Sequence, residues 1–485
     1  MDKHRPDWSK FALNPLAFMK QRIASDRHGK RSWHPRMMVS RHLSPERIFI
    51  LSFAGVILTG ALLLWLPFSA GKAPIPWVDA LFTSASAVCV TGLATIDVGE
   101  DFGLAGQVVL ICLFQVGGLG ILTFSAVFFV ILGRGLASKE HDIMQSVFLY
   151  APRRDLASIL KFIFLSTFLY EGVGTLLLWA RFSQDFPWGE ALYKAAFHAI
   201  SAFNNCGFSL FSDSFVSYQG DPIVNLTVMG LIVAGGIGFI VHYELHMRVF
   251  GKQRRLSVHT KVVLLATGVL IAGGAVLFFV FENDRILVGL PWQNRVLASL
   301  FQSITPRTAG FNTVDIGMLA NETILLMITL MFIGASPGST GGGVKTTSAS
   351  LLFLIMWSRL RGREEVNVFN RTIPRELLQR TISIILAASL SICFIMSVLL
   401  LSADHSGAPT ESRHRFVEYV FETTSAFATV GLSMNLTPSL NTPQKLATIL
   451  MMFAGRVGPL TLAFSLARMV SKKSFTYAEE GVMVG

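Results

Sequence analysis

One short motif occurs four times in this chain, and it constrains the fold more than any other feature. The copies read Phe82-Thr-Ser-Ala-Ser-Ala-Val-Cys-Val-Thr-Gly92, Phe197-His-Ala-Ile-Ser-Ala-Phe-Asn-Asn-Cys-Gly207, Phe301-Gln-Ser-Ile-Thr-Pro-Arg-Thr-Ala-Gly310 and Phe421-Glu-Thr-Thr-Ser-Ala-Phe-Ala-Thr-Val-Gly431. Each begins with Phe, carries Ser or Thr four residues later (Ser86, Ser201, Thr305, Ser425), and ends in Gly followed by Leu or Phe. The third copy is one residue shorter. The closing glycines recur at intervals of about 100–120 residues, the mark of a repeated structural unit.

Each copy lies between two long apolar runs. The first run, Ile48 to Leu66, is uncharged and ends at Pro67. At a rise of about 1.5 Å per residue it covers roughly the 30 Å core of a bilayer. Further spans are predicted near 104–133, 157–180, 223–247, 261–281, 321–334 continuing to about 358, 381–402 and 444–469. The composition agrees: 52 % of the 485 residues are hydrophobic and only 15 % charged. A soluble domain carries about 25 % charge. Mean hydropathy is +0.54. The chain is read as an integral membrane protein with eight crossings, and the four short polar stretches dip into the membrane and return.

Charge sets the predicted orientation. Residues 1–47 hold eleven Lys or Arg against Asp2, Asp7, Asp26 and Glu46, so much of the net charge of +11 sits in one tail. That placement argues against nucleic acid and for a cytoplasmic anchor near anionic head groups of the lipid bilayer. Further basic residues crowd the segments between repeats: Arg134, Lys139, Arg153 and Arg154; Lys252, Arg254, Arg255 and Lys261; Arg359, Arg361, Arg363, Arg371, Arg375 and Arg380. Lys472 and Lys473 lie in the C-terminal tail. If each repeat crosses twice, all of these share the cytoplasmic side with both termini. No cleavable signal peptide is expected, because the first apolar run starts only near Ile48 and is long enough to span. The four cysteines, Cys89, Cys112, Cys206 and Cys393, form no CxxC pair, so neither a zinc site nor a disulfide framework is expected.

The expected fold is an all-α membrane protein of four tandem helix–pore-helix–filter–helix repeats in pseudo-fourfold arrangement around one pore. The divisions are a basic tail at 1–46, repeats at 47–135, 152–250, 258–360 and 379–470, and a C-terminal tail at 471–485. Chemistry favours this unit for a cation pore. A potassium ion sheds its water only where carbonyl oxygens replace it, so several chain segments must aim their backbone at one axis. Glycine supplies the unusual φ that turns an extended segment's carbonyls inward. The C-terminal, partly negative end of each pore helix should face the ion path.

A second set of glycines follows each motif by about 24–28 residues, again at repeat spacing. These are Gly117-Gly-Leu-Gly120, Gly235-Gly-Ile-Gly238 and Gly455-Arg-Val-Gly458. Close helix packing accounts for such short clusters as well as function does. The third repeat differs: Gly334 opens the run Gly334-Ala-Ser-Pro-Gly-Ser-Thr-Gly-Gly-Gly-Val-Lys345. So many glycines with Pro337 cannot hold a helix, and a break at membrane depth is tolerated only where backbone is buried or lines water. Residues 334–345 are therefore an intramembrane loop and a candidate gate.

With these motifs in hand, the chain resembles the Trk/Ktr/HKT superfamily of potassium transporters over nearly all of 47–470. The four segments Val90-Thr91-Gly92-Leu93, Asn205-Cys206-Gly207-Phe208, Thr308-Ala309-Gly310-Phe311 and Thr429-Val430-Gly431-Leu432 look like that family's degenerate potassium filter. The absence of an extra hydrophobic pair in residues 1–47 brings it nearer the bacterial Ktr-type membrane subunit. The resemblance implies potassium uptake across the bacterial cytoplasmic membrane, with K+ as cargo and sodium as a candidate activator. It also implies a homodimer resting on a cytosolic ring of regulatory subunits that bind ATP/ADP or NAD. In the family a serine at the first filter glycine accompanies sodium preference, so Gly92 favours potassium. An arginine at the position of Arg456 lies on the family's ion path beside the interrupted loop. With Gly334, Gly338, Gly341, Gly342, Gly343 and Lys345 it makes up the candidate gate. Lys345 fits either a buried gate charge or the loop's cytoplasmic end.

Asp97, Asp213 and Asp315 follow their glycines closely, with Asn435 near the fourth. They fit an outer mouth that concentrates cations, or ordinary solvated loop acids. Glu422 and His198 fit pore-helix hydrogen bonding rather than ion ligation. Other functions are weaker matches. Gly338 to Thr346 superficially resembles a phosphate-binding loop, but Val344 precedes Lys345 where a glycine is required and no strand comes before. An alternating-access symporter would need inverted repeats, whereas these share one orientation. A pore with substantial sodium transport is the nearer alternative. A membrane hydrolase would need clustered acids or histidines, and Glu171 stands isolated in its apolar run. The chain is not expected to be an enzyme.

Overall fold

The structure, a computed structural model, describes residues 45–132, 156–251, 255–403 and 409–458. The two tails, Arg134, Lys139, Arg153, Arg154, Lys252 and Arg254 therefore lie outside the described residues. What is described is mostly helical. The order long helix, short helix, extended segment, helix occurs four times: α1 (Pro45–Trp65), α2 (Trp77–Val88) and α3 (Leu104–Leu132); then α4 (Leu156–Phe182), α5 (Trp188–Phe203), α6 (Pro222–Gly236) and α7 (Phe239–Val249). It continues with α8 (Val258–Glu282), α9 (Trp292–Ile304), α10 (Asn321–Phe332) and α11 (Thr346–Leu360), and closes with α12 (Arg375–Leu401), α13 (Pro409–Ala428) and α14 (Thr442–Val457). A two-residue hairpin, β1 (Asn367–Val368) and β2 (Arg371–Thr372), joins α11 to α12.

Three described helices, Lys161–Phe182, Val258–Glu282 and Arg375–Leu401, are long and apolar enough to cross a membrane. Ile50–Trp65, Leu104–Gly120 and Asn321–Phe332 are shorter apolar helices. The span predicted at 223–247 is not one straight helix: α6 and α7 meet at 99°. Gly238, with φ 95°, makes the corner. The predicted interruption of the third inner helix is present, with residues 333–345 between α10 and α11.

Local sequence explains where the short helices start and stop. Pro76, Pro187 and Pro291 stand at the N-caps of α2, α5 and α9 with φ between −60° and −55°, each followed by Trp. The ring fixes φ near a helical value just where an unpaired N–H would otherwise be wasted. At the other end the chain turns left-handed, at Val90, Asn205, Thr308 and Thr429.

The polarity of the packing is that of a protein in lipid. Phe82, Phe197, Phe301 and Phe421, the first residues of the four motifs, are fully buried, and so are the motif Ser and Thr side chains. Apolar residues such as Leu165, Phe168, Val269 and Leu390 are more than 60 % exposed on the outer helices. A hydrocarbon surround leaves such a surface without cost. Inner and short helices interlock in a cycle: α3 packs on α5, α6 on α9, α10 on α13, and α14 back on α2. An ion pair between Lys445 of α14 and Asp79 of α2, at 2.5 Å, ties the last link to the first.

Candidate functional site

The four extended segments meet at their glycines. Gly92, Gly207, Gly310 and Gly431 have φ of 90°, 83°, 79° and 92°. A Cβ on Gly92 would overlap the carbonyl oxygen of Cys206, and one on Gly431 that of Thr91. On Gly207 it would lie 2.7 Å from the Ala309 oxygen, and on Gly310 2.5 Å from the Val430 oxygen. Each strand thus abuts the next in the order 1–2–3–4–1, a closed ring with no room for any side chain. The residue two before each glycine is also left-handed: Val90 (φ 56°), Asn205 (58°), Thr308 (73°) and Thr429 (52°). Alternating the sign of φ turns successive carbonyls toward one side, whereas an ordinary strand points them alternately.

The Ser or Thr of each motif holds this strained backbone. Ser86 Oγ accepts from Gly92 N at 3.0 Å and Ser425 Oγ from Gly431 N at 3.1 Å. Ser201 Oγ donates to Phe208 O at 2.8 Å and Thr305 Oγ1 to Phe311 O at 2.5 Å. In the second, third and fourth repeats the side chain after the Phe braces the chain beyond the glycine, whereas the Thr83 hydroxyl of the first is buried with no partner among the described residues. His198 Nε2 meets Ser209 Oγ at 3.0 Å, Gln302 donates to Thr313 at 3.3 Å, and Glu422 accepts from Ser433 at 2.9 Å and from Thr437. The hydrogen-bonding reading of His198 and Glu422 agrees with these contacts.

Beyond the glycines lies a cavity of about 760 Å³ lined by all four of them and by Asp97, Asp213, Asp315 and Asn435. The three acids share one vestibule although the sequence separates them widely. Each also caps a turn: Asp97 accepts from Gly99 N and Glu100 N, Asp213 from Ser217 N, and Asp315 from Gly317 N. Capping uses a carboxylate without neutralising it, and all three carboxylates line the cavity.

At the opposite end of the strands sits the interrupted loop. A Cβ on Gly341 would overlap Thr308 Oγ1, and one on Gly342 would overlap Thr429 Oγ1. The loop is bonded to the corner between α6 and α7. Ser336 N donates to Gly236 O (3.0 Å), Thr340 N to Gly235 O (3.2 Å), and Phe239 N to Gly338 O (2.9 Å). Gly334 lies against Gly342 and Gly343, folding the loop on itself. Arg456, 4 % exposed, donates from Nη1 to Thr340 O and from Nη2 to Gly117 O at 2.5 Å. Lys345 Nζ turns back to donate to Gly341 O at 2.7 Å. The three short glycine clusters are packing sites: Cβ atoms on Gly117, Gly235 and Gly455 would overlap Val88 O, Phe203 O and Phe427 O in the last turns of α2, α5 and α13.

Glu171 is not isolated, as the sequence suggested. Asn204 Nδ2 donates to its Oε1 at 3.2 Å and to Gln115 Oε1 at 2.6 Å. The only available signal was Gln115, polar in an apolar run just before Gly117. The Pro-Trp starts of three short helices are a further repeat signal in the sequence. No cluster of three His, Cys, Asp or Glu able to hold a metal exists among the described residues.

Chemically, the arrangement offers the backbone oxygens of Cys206, Ala309, Val430 and Thr91 packed at the four glycines, and the buried hydroxyls of Thr91 and Thr429, which have no partner among the described residues. Oxygen ligands without acid–base or nucleophilic partners suit a dehydrated alkali cation rather than a reaction.

Comparison with known proteins follows the same line. The TrkH family profile, described as a cation transport protein, matches residues 22–477. The Ktr system potassium uptake protein B of Bacillus subtilis is 39 % identical over 447 residues, 91 % of this chain and 97 % of that protein. The potassium/sodium uptake protein NtpJ of Enterococcus hirae is 34 % identical over 452 residues, 92 % of this chain and 98 % of that one. The crystal structure of the potassium transporter TrkH from Vibrio parahaemolyticus aligns with a TM-score of 0.67 at 19 % identity, covering 88 % of this chain and 86 % of that one. At that identity the last match speaks for the fold.

Proposed function

This chain belongs to the TrkH family of cation transport proteins, and we propose that it carries potassium into the cell through one selective pore at the axis of its four filter strands. The observation that carries this reading is the closed ring of left-handed glycines, each against its neighbour's carbonyl. Eight crossings, four re-entrant helices and cytoplasmic termini in a bacterial cytoplasmic membrane complete it, supported by the apolar outer surface and the positive-inside pattern. Cations enter from the vestibule of Asp97, Asp213 and Asp315, whose charges raise their local concentration. They lose water among the carbonyls of Val90 to Gly92 and the equivalent residues, and meet the loop of 334–345 beneath.

That loop is the gate, with Gly334, Gly338, Gly341, Gly342, Gly343 and Lys345 supplying its turns and Arg456 its lock. Arg456 and Lys345 place two positive groups below the filter, so an ion can pass only when the loop moves. A homodimer on a cytosolic ring of ATP/ADP- or NAD-binding subunits would supply the force for that movement, since two relatives are named as uptake proteins and one as part of a Ktr system. The Enterococcus relative is named for both potassium and sodium, which favours sodium as an activator or second ion here. Growth of a potassium-uptake-deficient bacterium at low potassium tests the reading. Expression of the chain with its regulator should restore growth, and failure to do so while the protein is in the membrane would contradict it.

A further inference from the structure

The four filter strands are rooted differently. The residue just before each left-handed position is Cys89, Asn204, Arg307 and Ala428. Asn204 ends α5, with its N–H on Ile200 O at 3.0 Å. Its side chain reaches away from the axis to Glu171 on α4 and to Gln115 on α3. Glu171 is 4 % exposed in an apolar helix, and no basic side chain pairs with it among the described residues. An ionisable group at this depth is retained only with a partner. The partners here are amides, and one of them is the root of a filter strand.

We propose that Glu171 is a positioning residue for the second filter strand: through Asn204 it fixes the Cys206 carbonyl against Gly92 and so sets the preference for potassium over sodium. The inference rests on the filter reading given above. The lever is short. Asn205 has φ 58° and Gly207 φ 83°, so a displacement of Asn204 passes through a backbone with few alternatives into the ring. The space beside Asn204 is also fixed, since a Cβ on Gly118 would overlap its Oδ1. The bracket joins the inner helix of the first unit to the outer helix of the second, so it also couples two strands that touch at Gly92 and Cys206.

The test compares Glu171→Met, Glu171→Gln, Asn204→Leu and the Glu171→Met/Asn204→Leu pair by sodium and rubidium flux into proteoliposomes. Thermal unfolding in detergent shows that each variant is folded. The Met change keeps the volume and removes a buried polar group, which guards against loss of the fold. Glu171→Met should raise the sodium-to-rubidium flux ratio about threefold or more, and Glu171→Gln, which still offers an acceptor oxygen, should recover most of the selectivity. Asn204→Leu should match the Met variant, and the pair should be no worse than either alone, because both break one connection. An unchanged ratio in the Met variant, a Gln variant as leaky as Met, or effects that multiply in the pair would each overturn the proposal. Gly92→Ser serves as the reference. If it alters the ratio and Glu171→Met does not, the inference fails and the filter stands; if neither alters it, the filter reading fails first.

Discussion

At the proposed filter the deciding quantity is the sign of φ. Gly92 at 90° could take a serine only by moving its backbone or the Cys206 carbonyl. Gly92→Ser should therefore lower potassium preference over sodium, read as the ratio of the two fluxes, and an unchanged ratio would remove the first strand from the filter. Ser425→Ala deletes the acceptor of Gly431 N. Leaving that part-buried N–H unpaired costs up to about 1–3 kcal/mol. The variant should unfold at a lower temperature and admit more sodium; wild-type behaviour on both counts would show the tether to be idle. Much of this was legible in the sequence, because glycine and a Ser or Thr recurred at one spacing four times. The left-handed Val90, Thr308 and Thr429 were not. A β-branched residue at positive φ is a steric outlier at a cost of about 1–3 kcal/mol, so propensity argues against it. Only the neighbouring strands and the motif hydroxyls impose it.

Among the elements, the loop of 334–345 and the corner at Gly238 explain each other. Gly235-Gly-Ile-Gly238 reads much like Gly117-Gly-Leu-Gly120, yet α3 runs straight through its cluster while α6 stops. The difference is tertiary. Gly235 O and Gly236 O accept from Thr340 N and Ser336 N, and Phe239 N donates to Gly338 O, so the loop satisfies the backbone that the corner frees. Glycine composition alone could not announce this, whereas the break of the third inner helix was plain from Pro337 and its glycines. Arg456 binds the loop by one charge-assisted hydrogen bond to Thr340 O and anchors it to Gly117 O by another. Such bonds contribute about 1.5–3 kcal/mol each, enough to shift an open–closed balance tenfold or more. Arg456→Gln should raise flux in the closed, unstimulated state by about tenfold, and deleting part of 338–343 should raise it further while weakening control by the regulator. Flux that stayed at the wild-type level and fully regulated in the deletion would show that the loop does not gate.

Over the whole molecule, the repeat order in the sequence becomes a cycle in space. The closing contacts are those a linear reading cannot see: Gly431 against Thr91 O, α14 on α2, and Lys445 with Asp79. Asp79 and Lys445 lie at opposite ends of the chain and carry no shared motif, so only the folded ring reveals their pairing. Orientation is testable at the hairpin. Asn370, exposed at its tip, should as Asn370→Cys resist impermeant thiol reagents in intact cells and react once they are permeabilised; labelling from outside would reverse the topology. The ring itself is tested most directly by rubidium uptake into proteoliposomes holding this chain and its regulator, with potassium or sodium as competitor. One selective pore at four glycines should give uptake that potassium abolishes and an equal concentration of sodium barely affects, and serine at Gly92, Gly207, Gly310 or Gly431 should each erode that difference. Uptake no greater than in empty vesicles, or competition indifferent to all four substitutions, would contradict a filter built from these strands.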